Sequence, residues 1–268
     1  MASEPTGGSI RDNDAMTTIS GLLAALQRDG GRPRVTAYDD GPGPTQGERI
    51  ELSGRVLGTW VAKAANLLTE ELDVQPGDRV ALDLPAHWRA LYWGLALWSC
   101  GACVIAANHP DARALITTDP EHAERAARTG DAILVTLPAL ARRAQVPLGP
   151  GVLDEAATIA SYGDVFSATG RPSPSSAAVL AGSRTTTYAD LVPEPAWPAG
   201  TRAHLIAADL ATLYETALAA WAADGSIVLS RGTSDPAALA HRLATEGAVN
   251  ASELRSPARS AEQPHRSE

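Results

Sequence analysis

Residues 73–110 read DVQPGDRVALDLPAHWRALYWGLALWSCGACVIAANHP, and this stretch decides the fold. The turn Pro76–Asp78 precedes a mostly apolar segment, Arg79–Leu84, that predicts a strand. An apolar helix follows over about Ala86–Cys100, and Gly101 separates it from a second strand, Ala102–Ala106. A strand, a helix and a strand in this order predict a parallel pair joined by a right-handed crossover.

Strand and helix patterns alternate on both sides of this stretch. Upstream, the sequence predicts a helix over Thr17–Arg28, a hairpin of two strands at Val35–Tyr38 and Arg49–Leu52, and a helix from the N-cap Ser53 to about Leu72. Downstream, it predicts strands over 114–117, 133–136, 177–181 and 226–229. It predicts helices over 120–128 and 209–223, and a last helix that begins at Pro236 after the N-cap Asp235 and ends before Gly247. This alternation indicates an α/β fold, with a largely parallel sheet and flanking helices.

We expect one domain over residues 16–251. Residues 1–15 and 252–268 have no periodic apolar face and are expected to be disordered tails. Residues 1–15 also lack the apolar segment of a signal peptide. The two cysteines exclude a disulfide framework, so we expect the protein in the reducing cytoplasm.

Composition excludes several classes of function. The chain of 268 residues is 44% hydrophobic and 20% charged, which is ordinary for a globular protein. Its net charge of -9, without a basic face, argues against a nucleic-acid partner. Among 22 Lys and Arg residues only Lys63 is a lysine, and its place on an amphipathic helix predicts an exposed side chain. A mechanism that needs a lysine therefore has one candidate.

The run Ala90–Ala107 has no charged residue across 18 positions, which is the lower limit for a membrane span. Ser99 and Gly101 interrupt the run. A buried helix followed by a buried strand explains it better, so we expect no membrane span.

Several of these segments are similar to a known family. The run from Pro76 to Leu82, PGDRVAL, and the run from Gly101, GACVIAANHP, resemble the opening of the adenylate-forming (AMP-binding) enzymes. That family includes acyl-CoA synthetases, peptide-synthetase adenylation domains and luciferases. His204–Leu229 and Asp235–Ala248 resemble a later helix and strand and the helix that follows them. The likeness covers most of residues 15–250, in order, and implies the first part of the family's large domain.

The resemblance implies a chemistry in which ATP activates a carboxylate as an acyl-adenylate. Family members hold the pyrophosphate with a loop of the form TSGTTGxPKG, through backbone N–H groups and the lysine. After the predicted strand at 177–181 this chain instead has GSRTTTY, without the interior glycines or the lysine. Threonine does not adopt a positive φ as cheaply as glycine. Ser183, Arg184, Thr185 and Thr186 are therefore candidate contacts for ATP or AMP, expected to be weak, and an ordinary polar turn is the alternative.

The family's other motifs have no counterpart in the expected order. These are an adenine-side YGxTE, a ribose-binding TGD and a lysine in a mobile C-terminal domain. Thr129–Asp131 spells TGD and Ser161–Asp164 spells SYGD, but both precede the phosphate-loop position. We regard both as coincidences and assign no catalytic or metal-binding residue.

The sequence therefore predicts a relative of the family without adenylation activity, acting as a binding or regulatory module with a protein partner. The alternative is an acyl-activating ligase that works with a partner subunit, or a nucleotide-binding protein. No small-molecule ligand is identified.

The central helix also carries residues that suit other chemistry. Cys100 and Cys103 form a CxxC, but Cys100 ends a helix, where the dipole disfavours a thiolate, so we expect structural thiols rather than a redox pair. A zinc site would need two more ligands, of which His87 and His109 are nearest in sequence. Core packing or an aromatic ligand wall would explain the four aromatic residues of this helix, which are Trp88, Tyr92, Trp93 and Trp98.

Overall fold

The computed structural model describes residues 18–206, 208–232 and 235–255. The strands are β1 (Pro33–Asp39), β2 (Arg49–Ser53), β3 (Arg79–Asp83), β4 (Cys103–Ile105), β5 (Ala114–Thr117), β6 (Asp131–Leu134), β7 (Val152–Asp154), β8 (Ala177–Ala181), β9 (Arg184–Thr187), β10 (Arg202–Ile206), β11 (Ser226–Arg231) and β12 (Val249–Asn250). The helices are α1 (Ile19–Arg28), α2 (Gly54–Glu70), α3 (Trp88–Ser99), α4 (Pro120–Ala126), α5 (Glu155–Thr158), α6 (Tyr188–Leu191), α7 (Leu210–Ala222), α8 (Pro236–Glu246) and α9 (Ala251–Arg255), with a short 3-10 turn at Ile159–Ser161. The α/β class expected from the sequence is confirmed.

The strands divide between two sheets, whereas the sequence suggested one. The first sheet has the order β12-β10-β11-β1-β2 and is parallel except for the β1–β2 hairpin. The second has the order β7-β6-β5-β3-β4-β8-β9 and is parallel except for the β8–β9 hairpin. Hydrophobic periodicity reports local conformation only, so it could not show that β1 pairs with β11 rather than with β3.

The predicted crossover lies at the centre of the second sheet. β3 and β4 are parallel neighbours, with Val80 opposite Val104, and α3 connects them. β5 lies on the other side of β3, with Leu115 opposite Ala81. The connections therefore leave β3 and β5 in opposite directions, which makes this a topological switch point.

Helix α3 lies in a core that spans both sheets. Every residue from Trp88 to Trp98 is buried, as expected for a helix that is apolar all round. The indole of Trp98 donates to the Ala178 carbonyl of β8 at 3.0 Å. The hydroxyl of Tyr214 on α7 donates to the Ala90 carbonyl at 2.7 Å, and α7 packs on β10 and β11 of the first sheet.

This helix and β4 account for the uncharged run Ala90–Ala107. Within the described residues, no helix is both long and apolar enough to cross a membrane.

The helix caps agree with the sequence. The hydroxyl of Ser53 accepts from the Val56 N–H at 3.3 Å at the start of α2. Asp235 caps α8, and Gly247 ends it at a φ of 58°.

The two expected tails fall mostly outside the described residues. Residues 1–15 lie wholly outside, and so do residues 256–268 of the second tail. Residues 252–255 belong to α9, in which the Arg255 guanidinium donates to the Thr216 hydroxyl. The expected boundary at 251 therefore falls inside a helix too short to show a periodic pattern.

Candidate functional site

The candidate phosphate-contacting residues lie on a tight β-hairpin. β8 ends at Ala181 and β9 begins at Arg184, so the chain reverses through Gly182 and Ser183 alone. Gly182 has a φ of 59°, which glycine adopts without strain. The segment is the polar turn that the sequence left as an alternative to a phosphate loop.

The register of the hairpin shows how its backbone is used. Ala181 pairs with Arg184, Leu180 with Thr185 and Val179 with Thr186. The backbone of β9 therefore serves the antiparallel ladder, and the hairpin has no loop that could close around a phosphate.

The side chains of the hairpin, like its backbone, do not form an anion-binding site. Ser183, Arg184 and Thr185 are exposed, and Thr186 is half-buried. Arg184 is 74% exposed and meets Glu215 at 3.3 Å on the surface. The four candidates are thus adjacent but face solvent, and the one cation among them is already paired with a carboxylate.

Lys63 lies far from this hairpin and is less exposed than expected. Its Nζ donates to the carbonyls of Ala160 at 3.0 Å and Tyr162 at 2.5 Å, and it pairs with Asp164 at 2.8 Å. Because Ser161–Asp164 folds back onto α2, the side chain is only 17% exposed. The expectation of a solvated surface lysine was wrong, and the SYGD segment is the structural partner of this lysine.

The TGD segment is also a turn. Thr129–Asp131 links α4 to β6, and Gly130 lies against the Arg113 carbonyl, where a Cβ would be 2.6 Å from the oxygen. A close approach to backbone explains the glycine without a ribose.

The cysteines are buried free thiols. Cys100 caps the C-terminal end of α3, and its Sγ lies 3.7 Å from the Ala65 carbonyl. Burial raises the pKa of Cys100 to about 12 and also raises the pKa of Cys103. Neither is a ready nucleophile. The described residues contain no group of three or more His, Cys, Asp or Glu side chains placed to hold a metal.

A cleft lies where the carboxyl ends of strands from both sheets meet, which is where α/β proteins place ligands. Its cavity volume is about 10 Å³, which is room for about one water molecule. β1 and β11 end at one side of it, and the link from β3 to α3 forms the other. Its lining residues are Ala37, Tyr38, Asp39, Glu48, Ile50, Ala86, His87, Trp88, Leu229 and Arg231. We call it the His87 cleft.

Asp39 organises the side of the cleft formed by the first sheet. Its carboxylate accepts from the Thr45 hydroxyl at 2.5 Å, from the Gly41 N–H at 3.0 Å and from Arg231 at 2.7 Å. Asp39 and Arg231 are also register partners on β1 and β11. The carboxylate is 6% exposed and holds the loop after β1 in place, so it is a structural group rather than a free base.

His87 forms the opposite side of the cleft and the N-cap of α3. Its Nδ1 accepts from the Arg89 N–H at 3.3 Å, and the residue is 4% exposed. Burial lowers the pKa of His87 to about 3, assisted by the positive charges of Arg89 and Arg231. The ring is therefore neutral, with its proton on Nε2, which has no hydrogen-bond partner among the described residues.

A buried ionic network supports the cleft from below. Arg89 donates to Glu155 at 3.0 Å and to the carbonyls of Leu137 at 3.1 Å and Pro138 at 3.0 Å. Its guanidinium lies 4.6 Å from the Trp88 ring. Arg89 and Glu155 are 2% and 0% exposed, so this pair fixes the start of α3.

Sequence reasoning missed this cleft. Asp39 had no role assigned from the sequence, and His87 was considered only as a possible zinc ligand. The available signal was a polar residue at the carboxyl end of a strand, which holds for Asp39 in β1 and for Arg231 in β11. Of the four aromatic residues of α3, only Trp88 lines the cleft, and all four are packed in the core.

The fold is that of acyl-CoA synthetases and adenylation domains. An acyl-CoA synthetase from Brucella canis superposes with a TM-score of 0.64 at 14% identity, over 87% of this chain and 46% of that one. A fused adenylation–PCP di-domain, NpsA-ThdA from Klebsiella oxytoca, gives 0.58 at 20% identity, over 87% and 42%. The N-terminal subdomain of Klebsiella oxytoca NpsA gives 0.54 at 19% identity, over 87% and 60%. The chain shares this fold and spans about half the length of these structures.

The sequence comparison is more specific. A TIGR03089 family protein from Mycobacterium tuberculosis is 36% identical over 247 residues, which cover 86% of this chain and 96% of that protein. The chain therefore belongs to the TIGR03089 family. No protein-family model matches the chain.

Proposed function

We propose that this protein is a member of the adenylate-forming superfamily that does not adenylate, and that it serves as a binding or regulatory module with a protein partner. The single observation that carries the proposal is the two-residue reversal at Gly182 and Ser183, at the position where the resemblance places the phosphate loop.

The hairpin lacks the groups that would stabilise the charge of the pyrophosphate during adenylation. Phosphoryl transfer depends on fixed donors and cations that neutralise the charge of the pyrophosphate, and such terms are worth several kcal/mol. Here the strand backbone is paired, Arg184 is exposed and paired with Glu215, and Lys63 is tied to carbonyls elsewhere. No described residue at the hairpin replaces the lost lysine.

We propose the cytoplasm as the location. The support is that both cysteines are free thiols, as expected in a reducing compartment.

ATP–pyrophosphate exchange tests the proposal directly. The purified protein is incubated with labelled pyrophosphate, ATP, Mg²⁺ and a panel of fatty, aryl and amino acids, beside an authentic adenylating enzyme. We expect no exchange above a boiled control. Exchange with any acid would overturn the proposal and favour the acyl-activating alternative.

Calorimetry with ATP and AMP addresses the nucleotide-binding alternative. We expect no dissociation constant tighter than the millimolar range, about 4 kcal/mol of binding free energy. The matched variants are Arg184→Ala and Arg142→Ala, since Arg142 is also exposed but lies away from the hairpin. A micromolar constant that Arg184→Ala abolishes and Arg142→Ala preserves would establish a nucleotide site at the hairpin.

A further inference from the structure

Helix α8 lies on the first sheet without a buried side chain of its own. None of its residues from Pro236 to Glu246 is buried, and none belongs to an apolar cluster of the described residues. An isolated helix of 11 residues is marginal in water, so α8 depends on its contacts with the sheet to stay folded. Two charged side chains, Arg242 and Glu246, make polar contacts with the sheet.

Arg242 fixes the middle of α8 over β1 and β11. Its guanidinium donates to both carboxylate oxygens of Asp40, which follows β1, at 2.8 and 2.9 Å. It also donates to the Ser230 hydroxyl of β11 at 2.9 Å and lies 4.0 Å from the centre of the Tyr38 ring. A bidentate ion pair of this kind is among the stronger polar contacts in proteins, so the position of α8 depends on it.

Glu246 fixes the C-terminal end of α8 across three strands. Its carboxylate accepts from the Tyr38 hydroxyl of β1, from the Arg202 guanidinium of β10 and from Arg49 of β2 at 3.0 Å. The Glu246 side chain is 9% exposed. Both ends of this attachment are therefore ionic, and a change of charge beneath the helix can loosen it.

A chain of hydrogen bonds links Arg242 to a buried histidine of the sheet. His204 on β10 is 3% exposed, and its Nε2 lies 3.1 Å from the Ser230 hydroxyl that accepts from Arg242. Its Nδ1 lies 3.1 Å from Asn250 Oδ1, while Asn250 Nδ2 donates to Glu253 at 3.1 Å. Because a carboxylate accepts, the amide nitrogen of Asn250 points to Glu253 and its oxygen to His204. Nδ1 of the neutral ring therefore carries the proton, and Nε2 accepts from Ser230.

We propose that protonation of His204 releases α8 from the first sheet, so that this helix is an acid-sensitive strap over β1, β10 and β11. A proton on Nε2 turns this atom into a donor that faces the Ser230 oxygen. That hydroxyl oxygen then has two cationic donors, His204 and Arg242, and its own proton loses its acceptor. Release of α8 relieves this conflict, because Arg242 leaves with the helix.

The environment of His204 keeps the ring neutral while α8 is in place. Burial lowers the pKa of His204, assisted by the positive charge of Arg242, against the hydrogen bond to Asn250. Once the helix has left, both effects weaken and the ring takes up a proton more readily. Acid therefore favours the released state.

No free carboxylate is available to the added charge among the described residues around His204. The charged and titratable groups there are Arg242 and Glu246 on α8, Arg202 on β10, Tyr38 on β1, Asp40 after β1 and Glu253 on α9. Each of the three carboxylates in this set already accepts from other side chains. The strap does not involve the β8–β9 hairpin, so its failure would leave the proposed function untouched.

Hydrogen exchange of the full chain tests the strap. Peptides of α8 and of the core helix α7 are followed by mass spectrometry at pH 7 and pH 5, at constant ionic strength and with correction for the intrinsic exchange rate. If His204 regains an ordinary pKa in the released state, the opening equilibrium of α8 rises by about 5- to 25-fold between these pH values. We expect the protection of α8 to fall by this factor and to stay below that of α7 at both pH values.

His204→Gln is the decisive variant, because glutamine keeps a polar side chain but does not take up a proton. The protection of α8 should then change by less than about twofold between pH 7 and pH 5. Two matched controls should keep the wild-type response. They are His241→Gln, on the exposed side of α8, and His87→Asn, which removes a buried histidine elsewhere.

Three results would overturn the proposal. These are unchanged protection of α8 at pH 5, a wild-type response in His204→Gln, and equal protection of α8 and α7 at pH 5, which would mean that the chain opens as a whole. If His204→Gln does not fold, the ¹⁵N spectrum of the histidine rings in the wild-type chain decides instead. One ring should carry its proton on Nδ1 at pH 7 and titrate below 6.5, and the absence of such a ring would also overturn the proposal.

Discussion

Acidification from pH 7 to pH 5 should destabilise this protein through His87. Burial lowers the pKa of His87 to about 3, from an ordinary value of 6.5. Between these values the unfolded chain binds a proton that the folded protein does not. Stability is therefore complete above pH 6.5 and is lost as the pH falls toward 3.

The magnitude follows from the proton affinity of the unfolded state. Each unit of pH costs 1.36 kcal/mol once the unfolded imidazole is fully protonated. Because protonation is partial near pH 6.5, the loss between pH 7 and pH 5 is about 2 kcal/mol. Carboxylates with a lowered pKa also stabilise the folded protein, and the pKa of Glu246 is lowered from 4.5 to about 2. The stabilisation by Glu246 is lost only as the pH falls from about 4.5 toward 2. The window from pH 7 to pH 5 therefore lies above the range in which carboxylates with lowered pKa lose their contribution.

The comparison that measures this is wild type against His87→Asn. Asparagine keeps a side-chain oxygen that can cap α3, but it removes the titrating group. Urea denaturation followed by Trp fluorescence at pH 7, 6 and 5 gives the free energy of unfolding. We expect wild type to lose about 2 kcal/mol more than the variant, or about 1 M in midpoint.

The control is His241→Asn on α8, because His241 is exposed. It should follow the wild-type pH dependence. His204 is buried between Asn250 and Ser230, and its lowered pKa has the same sign, but it contributes equally to all three proteins. Equal pH slopes in wild type and His87→Asn would refute the conclusion that His87 is neutral in the folded protein.

Other predictions concern the hairpin, the thiols and the core. Arg184→Ala should change the free energy of unfolding by less than about 0.5 kcal/mol in urea, because its ion pair is on the surface. Cys100 and Cys103 should react slowly with a thiol reagent at pH 7.5 in the native protein and rapidly in urea, because burial raises both pKa values. Gly94→Ala should cost about 1–3 kcal/mol in a thermal or urea melt, because the new Cβ would lie 2.6 Å from the Tyr214 ring.

For each of these three predictions, one result would contradict it. A large loss in Arg184→Ala would make the hairpin part of the core. Fast native labelling would revive a redox role for the CxxC. Gly182→Asn is the control for Gly94→Ala, since nothing lies within 4 Å of a Cβ at Gly182 and asparagine tolerates its φ of 59°; equal losses in the two variants would contradict the packing argument.

Sequence patterns predicted the local elements where a physical signal was strong. Ser53, Asp235 and Gly247 mark helix ends by capping chemistry, and the apolar runs around α3 gave a buried helix and strand. Sequence signals were weak for β7, β10 and β12, which are short or partly polar, and for α9, which has five residues. Such elements are stabilised by partners that are distant in sequence.

Whether a site could be predicted from the sequence also depended on how far apart its residues lie along the chain. The loss of the phosphate loop was visible because it concerns consecutive residues. The His87 cleft joins β1, the link after β3, and β11, and no local pattern shows that these meet. Lys63 was misjudged for the same reason, since its partners lie almost 100 residues away, at Ala160 and Tyr162.

The pairing of β1 with β11 has a consequence for synthesis of the chain. Asp39 and Arg231, which meet at the end of these strands, are 192 positions apart. At about 5–20 residues per second, a ribosome needs on the order of 10–40 s to cover that distance. During this interval β1 has β2 on one side and an open edge on the other, and an open strand edge is a template for pairing with other chains. Strands β3 to β6 are complete far earlier and have their neighbours close by in sequence. The protein is therefore most exposed to aggregation while it is being made, and a slower emergence of β10 and β11 lengthens the vulnerable period.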